Sequence, residues 1–371
     1  MWPRNTRGHL GGRDDHRVTS AAVLREQGGA FALEEVEVDA PRAGEVLVRV
    51  AGVGICHTDL AAADGALGLP LPIVLGHEGA GTVEAVGQGV TAVAPGDGVV
   101  LTYDHCGVCP RCAAGHPAYC ERFAALNASG ARADGTTTLS GADGPVHGSF
   151  CGQSSFAGLA LAGERNAIPV STEAPLELLG PLGCSLQTGA GAVLEVLDAR
   201  PGQGIAVVGL GAVGLSAVMA AAVAGCDPIV AIDPDGRRRE LAEELGATHA
   251  LDASQRPPAH VDLSVDAVGS QDALTAALRA LAAPGHCATV GWRGPRNRLT
   301  VDQGHLLQGR SLTGVIEGDT VPGRFIPQLL ELHAAGRFPF ERLVQTFPFD
   351  RIGEAVEAAR AGRVVKPVLV L

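Results

Sequence analysis

Residues 207–214 read Val-Val-Gly-Leu-Gly-Ala-Val-Gly, which places three glycines in the spacing G-x-G-x-x-G. Residues 205–208, Ile-Ala-Val-Val, are mostly β-branched and predict a short strand before the glycines, and the Ala-rich residues 213–224 predict a helix after them. Such glycines permit a tight turn and let a pyrophosphate approach the helix N-terminus, whose free N–H groups and dipole favour anions. The motif alone is weak, because glycine-rich turns also serve plain packing.

A second strand supports the dinucleotide interpretation. Residues 229–233 read Ile-Val-Ala-Ile-Asp, so this strand ends in an acid about twenty residues after the glycines. Asp233 is therefore predicted to accept hydrogen bonds from the adenosine ribose of a cofactor. Its charge would repel a 2′-phosphate, which favours NAD over NADP. The alternative is that Asp233 only caps a helix that begins after Pro234.

The pattern of strands and helices predicts two kinds of lobe. With 371 residues, the chain exceeds the size at which a single core stops growing. Residues 21–100 contain short strand-like segments separated by Gly and Pro, which indicates an irregular β-rich lobe. After Pro181, strand-like and helix-like segments alternate, which predicts an α/β domain with a doubly wound parallel sheet. The alternating segments are residues 205–208, 213–224, 229–233, 237–245, 263–268, 272–281 and 286–290.

Composition narrows the function classes. The net charge of −12 argues against nucleic-acid or anionic-membrane partners. Residues 201–226 carry no formal charge, but their glycines make a strand, a turn and a buried helix a better account than a membrane span. Nine cysteines without a signal peptide indicate a reducing, cytoplasmic setting and metal binding. Residues 1–20, rich in Arg, Gly, Asp and His, are expected to form a disordered extension.

A short loop, residues 106–120, carries four cysteines in the spacing C-x2-C-x2-C-x7-C: Cys106, Cys109, Cys112 and Cys120. Four thiolates spaced in this way can wrap one tetrahedral zinc ion. A closed four-ligand site has no open position, so it would stabilise a lobe and do no chemistry. The alternatives are four ordinary thiols or two disulfides.

Three further side chains are candidates for a second metal site. Cys56, His77 and Cys184 each lie beside glycines, where backbone can crowd a site. Two thiolates and one imidazole leave the fourth position of a zinc ion open, as Lewis-acid catalysis requires. Spacing alone does not prove this set, because a single histidine is more often structural.

Residues 76–81, Gly-His-Glu-Gly-Ala-Gly, together with the four-cysteine loop resemble the zinc-dependent alcohol dehydrogenases of the medium-chain dehydrogenase/reductase family. The resemblance runs from about Ala21 to Leu371. It is closer to aryl- (benzyl-) alcohol and geraniol-type dehydrogenases, and this rests on residues 150–156, 183–191, 314–319 and 366–368. It implies a GroES-like β-rich catalytic domain with a Rossmann NAD-binding domain inserted in it. The expected catalytic domain is residues 21–185 and 317–371, with the structural zinc loop at 106–120, and the expected Rossmann domain is residues 186–316.

The resemblance also implies roles for single residues. Cys56, His77 and Cys184 match the catalytic zinc ligands, and the four cysteines of the loop match the structural zinc ligands. Thr58 matches the hydroxyl that takes the substrate proton. Asp59 matches the acid that orients the zinc-bound histidine, and Glu78 a carboxylate held near the zinc. The expected substrate pocket is Thr102, Phe150 and Trp292. The expected cofactor-binding set is His57, Gly209, Gly211, Ala212, Val213, Gly214, Asp233, Arg238, Val268, Val290 and Lys366.

Several positions depart from the family pattern. Cys151 stands where close relatives tend to have a second Phe, so the pocket is expected to be wider and the alcohol to differ from benzyl alcohol. Ala61 stands where well-studied relatives carry a proton-relaying histidine. We therefore expect His57 to lie by the cofactor phosphates and protons to leave through ordered water. Lys366, the sole lysine, falls where relatives place a basic residue that reaches the coenzyme phosphates; the alternative is a solvated surface cation.

Together these features predict an NAD-dependent alcohol dehydrogenase with two zinc ions per chain. The expected reaction is reversible oxidation of a primary aryl or allylic alcohol to its aldehyde, in a cytoplasmic homo-oligomer, a dimer or a tetramer. One alternative is a thiol-adduct (formaldehyde-type) dehydrogenase of the same family. The other is a zinc- and NAD-binding protein without turnover.

Overall fold

The structure is a computed structural model that describes residues 17–255 and 260–371. Its strands are β1 (Arg17–Leu24), β2 (Phe31–Val38), β3 (Glu45–Gly54), β4 (Ile73–Val74), β5 (Glu78–Val86), β6 (Gly98–Leu101), β7 (Leu139–Gly141), β8 (Gly144–Val146), β9 (Leu159–Gly163), β10 (Ala167–Pro169), β11 (Ile205–Val208), β12 (Ile229–Ile232), β13 (His249–Leu251), β14 (Val261–Asp266), β15 (Leu281–Thr289), β16 (Arg310–Gly314), β17 (Val344–Pro348) and β18 (Lys366–Val370). Its helices are α1 (His57–Ala63), α2 (Pro110–Ala113), α3 (Phe123–Asn127), α4 (Ser185–Gly191), α5 (Ala212–Ala224), α6 (Gly236–Glu244), α7 (Gln271–Ala280), α8 (Gln303–Leu306), α9 (Pro322–Ala334) and α10 (Ile352–Arg360).

Both ends of the described chain contribute to the β-rich lobe. One of its sheets has the order β4-β1-β2-β7-β8, and the other has the order β10-β6-β5-β3-β18-β17 with β9 also paired to β3. The central strand β3 is rich in Val and buried over most of its length, as expected for a strand covered on both faces. The last strand, β18, pairs antiparallel with the end of β3, Leu369 opposite Val53. The C-terminal residues therefore complete a sheet that the N-terminal half begins.

The second lobe is built on a parallel sheet in the order β13-β12-β11-β14-β15-β16. If β11 is counted as the first strand of this domain, the spatial order of the strands is 3-2-1-4-5-6, which is the order found in dinucleotide-binding sheets. Val207 packs in one core with Leu215 of α5, whereas Ala206 and Val208 pack in another with Leu274 of α7. Alternate residues of a strand thus meet helices on opposite faces, and the predicted doubly wound α/β sheet is confirmed. The domain boundaries at 185/186 and 316/317 stay a prediction.

The predicted N-terminal extension needs a correction. Residues 1–16 lie outside the described residues, but Arg17–Ser20 belong to β1, so the prediction of disorder is wrong for these four. The physical reason is pairing: the antiparallel register with β2 starts with Arg17 opposite Val38. In residues 201–226, the structure has the strand β11, the glycine turn and the thirteen-residue α5. Across residues 17–255 and 260–371, no helix is long and apolar enough to cross a membrane.

The packing of α4 on α5 joins the two lobes. Every residue of α4 is buried. A Cβ on Gly189 would overlap the carbonyl oxygen of Val213, so glycine is required where the two helices approach. Leu182 and Leu186 share a single apolar core with Val207 and Leu215. The start of α4, where Cys184 lies, is therefore held rigidly beside the dinucleotide-type sheet.

Candidate active site

The four cysteines of residues 106–120 come together in one loop, which together with its immediate neighbours is called the four-cysteine lobe below. Their sulfur atoms all lie within 4.8 Å of one another. Sγ of Cys112 lies 3.9 Å from Sγ of Cys106 and 3.5 Å from Sγ of Cys109. Tetrahedral zinc with bonds of about 2.3 Å holds its sulfur ligands about 3.8 Å apart, so these residues fit a zinc ion. All nine cysteines of the chain are free thiols, so the alternative of two disulfides is wrong.

Backbone N–H groups favour the thiolate form in this lobe. The N–H of Cys109 donates to Sγ of Cys106 at 3.3 Å, and the N–H of Cys106 donates to Sγ of Cys120 at 3.3 Å. Backbone N–H groups of Cys112 and Glu121 lower the pKa of the Cys109 thiol to about 6. The thiolate is the form that binds metal, so these N–H groups favour metal binding by Cys109, whereas burial raises the pKa of the Cys112 thiol to about 12.

A second cluster brings together Cys56, His77, Glu78 and Cys184, whose ligand atoms all lie within 4.8 Å of one another. These residues come from three separate parts of the chain. Cys56 follows β3 as the N-cap of α1, His77 directly precedes β5, and Cys184 directly precedes α4. The antiparallel pairing of Gly54 with Glu78 brings the first two segments together. The predicted ligand set is thus assembled in space, and the hydroxyl of Thr58 lies 3.9 Å from Sγ of Cys56.

Asp59 orients the imidazole of His77. Oδ1 of this fully buried carboxylate lies 2.7 Å from Nδ1 of His77. Asp59 also accepts hydrogen bonds from the N–H groups of Cys56 at 2.9 Å and Gly76 at 3.1 Å. Because a carboxylate only accepts, we assign the proton to Nδ1, which leaves Nε2 free as a metal ligand. The backbone contacts tie this orientation to the segment that carries Cys56.

Lys366 and Glu78 form a buried ion pair. Nζ of Lys366 lies 2.8 Å and 3.0 Å from the two carboxylate oxygens of Glu78, and it donates to the carbonyl oxygen of Ile55 at 3.2 Å. Lys366 is only 2% exposed, so the alternative of a solvated surface cation is wrong. Burial opposes the charged form of Lys366, but the carboxylate of Glu78 outweighs it and raises the pKa of Lys366 above its ordinary value. Contact of Lys366 with cofactor phosphates stays a prediction.

Two site residues escaped the sequence analysis, Glu317 and Gln187. Oε1 of Glu317 lies 3.6 Å from Sγ of Cys184, and the other carboxylate oxygen accepts from Nε2 of Gln187 at 3.2 Å. Burial raises the pKa of Glu317 to about 7. The family resemblance rested in part on residues 183–191 and 314–319, which include Gln187 and Glu317, but it assigned no role to either residue. Nothing in the pattern of these two segments indicates a neighbour 133 positions away.

The expected pocket residues differ in their surroundings. The ring of Phe150 is fully buried and lies edge-on to the ring of His77 at 5.6 Å. Cys151 follows it with a φ of +49°, and burial raises the pKa of its thiol to about 12. The hydroxyl of Thr102 is fully buried and donates to the carbonyl oxygen of Gly183 at 2.6 Å. Trp292 is half-buried after β15. Of the three predicted pocket residues, Phe150 is therefore the one whose side chain contacts a proposed metal ligand, His77.

The glycine turn has the shape of a phosphate cradle. Gly209 has a φ of +90°, and a Cβ there would overlap the side chain of Val268. A Cβ on Gly214 would overlap the carbonyl oxygen of Gly209, so these two glycines are needed for close packing. Around Gly211, in contrast, a Cβ would find no other atom within 4 Å. Open space at the middle glycine, at the N-cap of α5, is what a bound pyrophosphate requires.

Asp233 does not cap a helix. Its carboxylate accepts from the N–H of Leu210 at 2.7 Å, inside the glycine turn, and from the N–H of Asp235 at 2.8 Å. Asp235 is the N-cap of α6, so the capping alternative for Asp233 is wrong. The neighbouring arginines are engaged locally, since Arg237 pairs with Asp235 and Arg239 donates to the carbonyl oxygen of Asp233. Arg238 donates to the carbonyl oxygen of Gly362 at 3.3 Å.

The remaining predicted cofactor residues lie around these elements. Ala212 and Val213 are the first residues of α5, and Val268 and Val290 are partly buried after β14 and β15. His57 is exposed at the start of α1. Their contacts with a cofactor stay predictions.

Comparison with known proteins agrees with this geometry. Residues 42–170 match the family described as alcohol dehydrogenase GroES-like domain, and residues 212–335 match the family described as zinc-binding dehydrogenase. The chain is 47% identical to a geraniol dehydrogenase from Castellaniella defragrans, over 96% of this chain and 98% of the relative.

Solved structures give the same result. An alcohol dehydrogenase zinc-binding domain protein from Burkholderia ambifaria is 49% identical, with a TM-score of 0.94 over 96% of this chain and 100% of that one. A benzyl alcohol dehydrogenase from Acinetobacter calcoaceticus is 40% identical, with a TM-score of 0.92 over 96% of this chain and 99% of that one. These similarities cover both lobes and both cysteine-containing sites. The chain therefore belongs to the zinc-dependent alcohol dehydrogenases of the medium-chain dehydrogenase/reductase family.

Proposed function

We propose that this alcohol dehydrogenase oxidises primary aryl or allylic alcohols to aldehydes, with NAD as hydride acceptor and the metal held by Cys56, His77 and Cys184. The observation that carries the proposal is the convergence of these three side chains in one buried cluster. Two sulfur ligands and one nitrogen ligand suit zinc and leave a position for substrate. Relatives that act on geraniol and on benzyl alcohol, 47% and 40% identical, support the substrate class.

The residues of the chain divide the work around this site. Bound zinc supplies Lewis-acid chemistry that lowers the pKa of an alcohol, and bound NAD accepts hydride. Asp59 keeps the His77 ring in one orientation and one tautomer. The hydroxyl of Thr58, beside Cys56, is placed to accept the alcohol proton. Lys366 forms an ion pair with the carboxylate of Glu78, which lies in the same cluster as the three proposed ligands.

The proton must then leave without a histidine relay. Ala61 cannot carry a proton, and His57 is exposed at the start of α1. We infer that the proton passes from Thr58 to water, and that His57 lies near the cofactor phosphates. The exposure of His57 supports access of solvent to this end of α1. An unchanged NADH affinity in His57→Arg would contradict the placement of His57.

A panel of matched alcohols tests the substrate class. Benzyl alcohol should be oxidised with a kcat/KM at least about tenfold above that of cyclohexylmethanol, which corresponds to about 1.4 kcal/mol in the transition state. The reason is that conjugation stabilises the developing carbonyl group. 3-Methyl-2-buten-1-ol should exceed 3-methylbutan-1-ol in the same way. NADH formation measured by absorbance checks both pairs.

The same assay separates the alternatives. Faster NADH formation with formaldehyde and a thiol than with any alcohol would favour the thiol-adduct dehydrogenase. Metal and NAD binding without turnover of any alcohol would favour a non-catalytic protein. Equal kcat/KM values within both alcohol pairs would contradict the aryl or allylic preference.

We infer that NAD is preferred over NADP. The carboxylate of Asp233 is buried at the glycine turn, where its negative charge would repel the 2′-phosphate of NADP. Asp233→Ser should lower kcat/KM with NAD about 10- to 100-fold, the scale of one charge-assisted hydrogen bond. It should also reduce the ratio of kcat/KM with NAD to kcat/KM with NADP, because the variant lacks the carboxylate that would repel the 2′-phosphate. Asp235→Ser is the matched control: serine is as good an N-cap as aspartate, so α6 and the cofactor preference should persist. A higher kcat/KM with NADP in the wild type would sink this assignment.

We further propose a homo-oligomer in the cytoplasm. β16 lies at the edge of the described parallel sheet, and such an edge is a surface on which a second copy can pair. Nine free cysteines support a reducing compartment. A solution mass equal to that of one 37.7 kDa chain would contradict the oligomer.

A further inference from the structure

We propose that the four-cysteine lobe positions the catalytic centre, because His116 of its loop holds the turn that places Glu317 beside Cys184. This inference rests on the proposed metal site at Cys56, His77 and Cys184. It makes His116 and Asp319 positioning residues, which act on the metal site through Glu317. The lobe would then contribute to the active site in addition to stabilising its own loop.

The turn that carries Glu317 has an unfavourable backbone. Glu317 has a φ of +50°, Gly318 of +69° and Asp319 of +50°. Left-handed conformations are unfavourable for residues with a Cβ, so surrounding contacts must hold Glu317 and Asp319 in place. A Cβ on Gly318 would overlap the carbonyl oxygen of Gln187, which shows how closely the turn packs on α4. The conformation of this turn therefore depends on its neighbours.

One set of these neighbours comes from the metal-binding loop. Nδ1 of His116 lies 2.9 Å and 3.0 Å from the two carboxylate oxygens of Asp319. The hydroxyl of Tyr119 donates to the carbonyl oxygen of Gly314 at 3.3 Å. His116 and Tyr119 stand between Cys112 and Cys120 in the sequence, so a metal ion bound by those cysteines would fix the segment that carries both. The loop thus contacts the turn at its end and at the strand before it.

The other set leads from the turn to the catalytic sulfur. The hydroxyl of Thr320 donates to Oε1 of Gln187 at 3.1 Å, and Nε2 of Gln187 donates to Glu317 at 3.2 Å. The second oxygen of Glu317 lies 3.6 Å from Sγ of Cys184. His116 is therefore linked to Cys184, a proposed ligand of the catalytic metal, in two ways: through the backbone of the turn from Asp319 to Glu317, and through the hydrogen bonds of Thr320, Gln187 and Glu317. A shift of the turn would move Glu317 away from that sulfur.

Removal of the His116 side chain tests the coupling. In His116→Ala, zinc should leave the catalytic site for a chelator at least about five times faster than in the wild type, the lower end of typical coupling between sites. Zinc is expected to leave the two sites in two kinetic phases. The phase that is missing in Cys184→Ala, which lacks the catalytic ion, is assigned to the catalytic site. A second readout is the thiolate-to-metal charge-transfer band of the cobalt-loaded protein, after subtraction of the Cys184→Ala spectrum. This band should shift in His116→Ala, because the surroundings of the Cys184 sulfur change.

Matched variants separate positioning from general damage. Arg111→Ala changes an exposed residue of the same loop and should leave release rate and spectrum as in the wild type. His116→Asn keeps an N–H donor at the position of Nδ1 and should restore most of the wild-type behaviour. Asp319→Ala should reproduce His116→Ala, and the double variant should show no larger effect, because both remove one contact.

The outcomes are distinct. Unchanged release and spectrum in both His116→Ala and Asp319→Ala would overturn the inference. Equal effects in Arg111→Ala would overturn it too, because they would indicate loss of the loop as a whole. A wild-type protein that binds no metal at Cys56, His77 and Cys184 would instead overturn the proposed function.

Discussion

Cys184→Ala should lose one of the two zinc ions and reduce kcat/KM at least about 10⁴-fold, the scale seen when a member of a catalytic set is removed. The variant leaves only Cys56 and His77 as proposed ligands, too few to hold a zinc ion in an open three-ligand site. The chain should still fold, because the change removes one buried sulfur atom and leaves α4 packed on α5. Elemental analysis, NADH formation and circular dichroism measure the three parts of this result.

Cys226→Ala is the matched control for that experiment. Cys226 is also a buried thiol, but it lies in the core of the dinucleotide-type lobe, away from both clusters. It should keep both zinc ions and near wild-type turnover. Two zinc ions and full activity in Cys184→Ala would remove Cys184 from the ligand set.

Cys112→Ala should destabilise the four-cysteine lobe and lower the zinc content by at least one ion per chain. Structural zinc contributes folding free energy directly, because the site does not exist in the unfolded chain. We expect a loss of at least about 3 kcal/mol, which for a chain of 371 residues corresponds to a fall in Tm of at least about 4 °C. Among the described residues, Phe123 and Leu126 are the partly buried apolar side chains other than cysteine that pack on this cluster, so a bound metal would contribute much of its stability. Calorimetry with elemental analysis measures both effects.

Arg111→Ala serves as the control, since it alters the same loop without touching a sulfur. A chelator strong enough to strip the lobe of the wild type should reproduce the loss of Tm. If Cys112→Ala kept two zinc ions and the wild-type Tm, the four cysteines would be ordinary thiols.

Local patterns predicted much of the fold from the sequence. The strand, glycine turn and helix of residues 205–224 lie where the spacing placed them, because a G-x-G-x-x-G turn depends on the backbone of neighbouring residues. The four-cysteine loop is equally local, since all its sulfur atoms come from fifteen consecutive residues. The start of β1 was missed: Arg17–Ser20 were expected to be disordered, but their pairing with β2 orders them.

The tertiary structure decided which partner a side chain contacts when the two residues are distant in the chain. The pairing of β18 with β3 buries Lys366 against Glu78, 288 positions away, which excludes a solvated surface cation. Asp233 could have been a cap, yet the parallel pairing of β11 with β12 brings it to the N–H of Leu210. Charge and residue type alone could not select between these partners, because the choice depends on strand register.

By itself, the sequence determined the residue types for two candidate zinc sites and a dinucleotide turn, the order of the lobes, and the family. Those features depend on short spacing and on which atoms can bind a metal or a phosphate. Only the tertiary structure decided that Glu78 is held by Lys366, that Asp235 rather than Asp233 caps α6, and that Glu317 lies beside Cys184. Each of these contacts joins chain segments whose approach is set by sheet pairing and helix packing, and long-range packing leaves no local signature in a sequence.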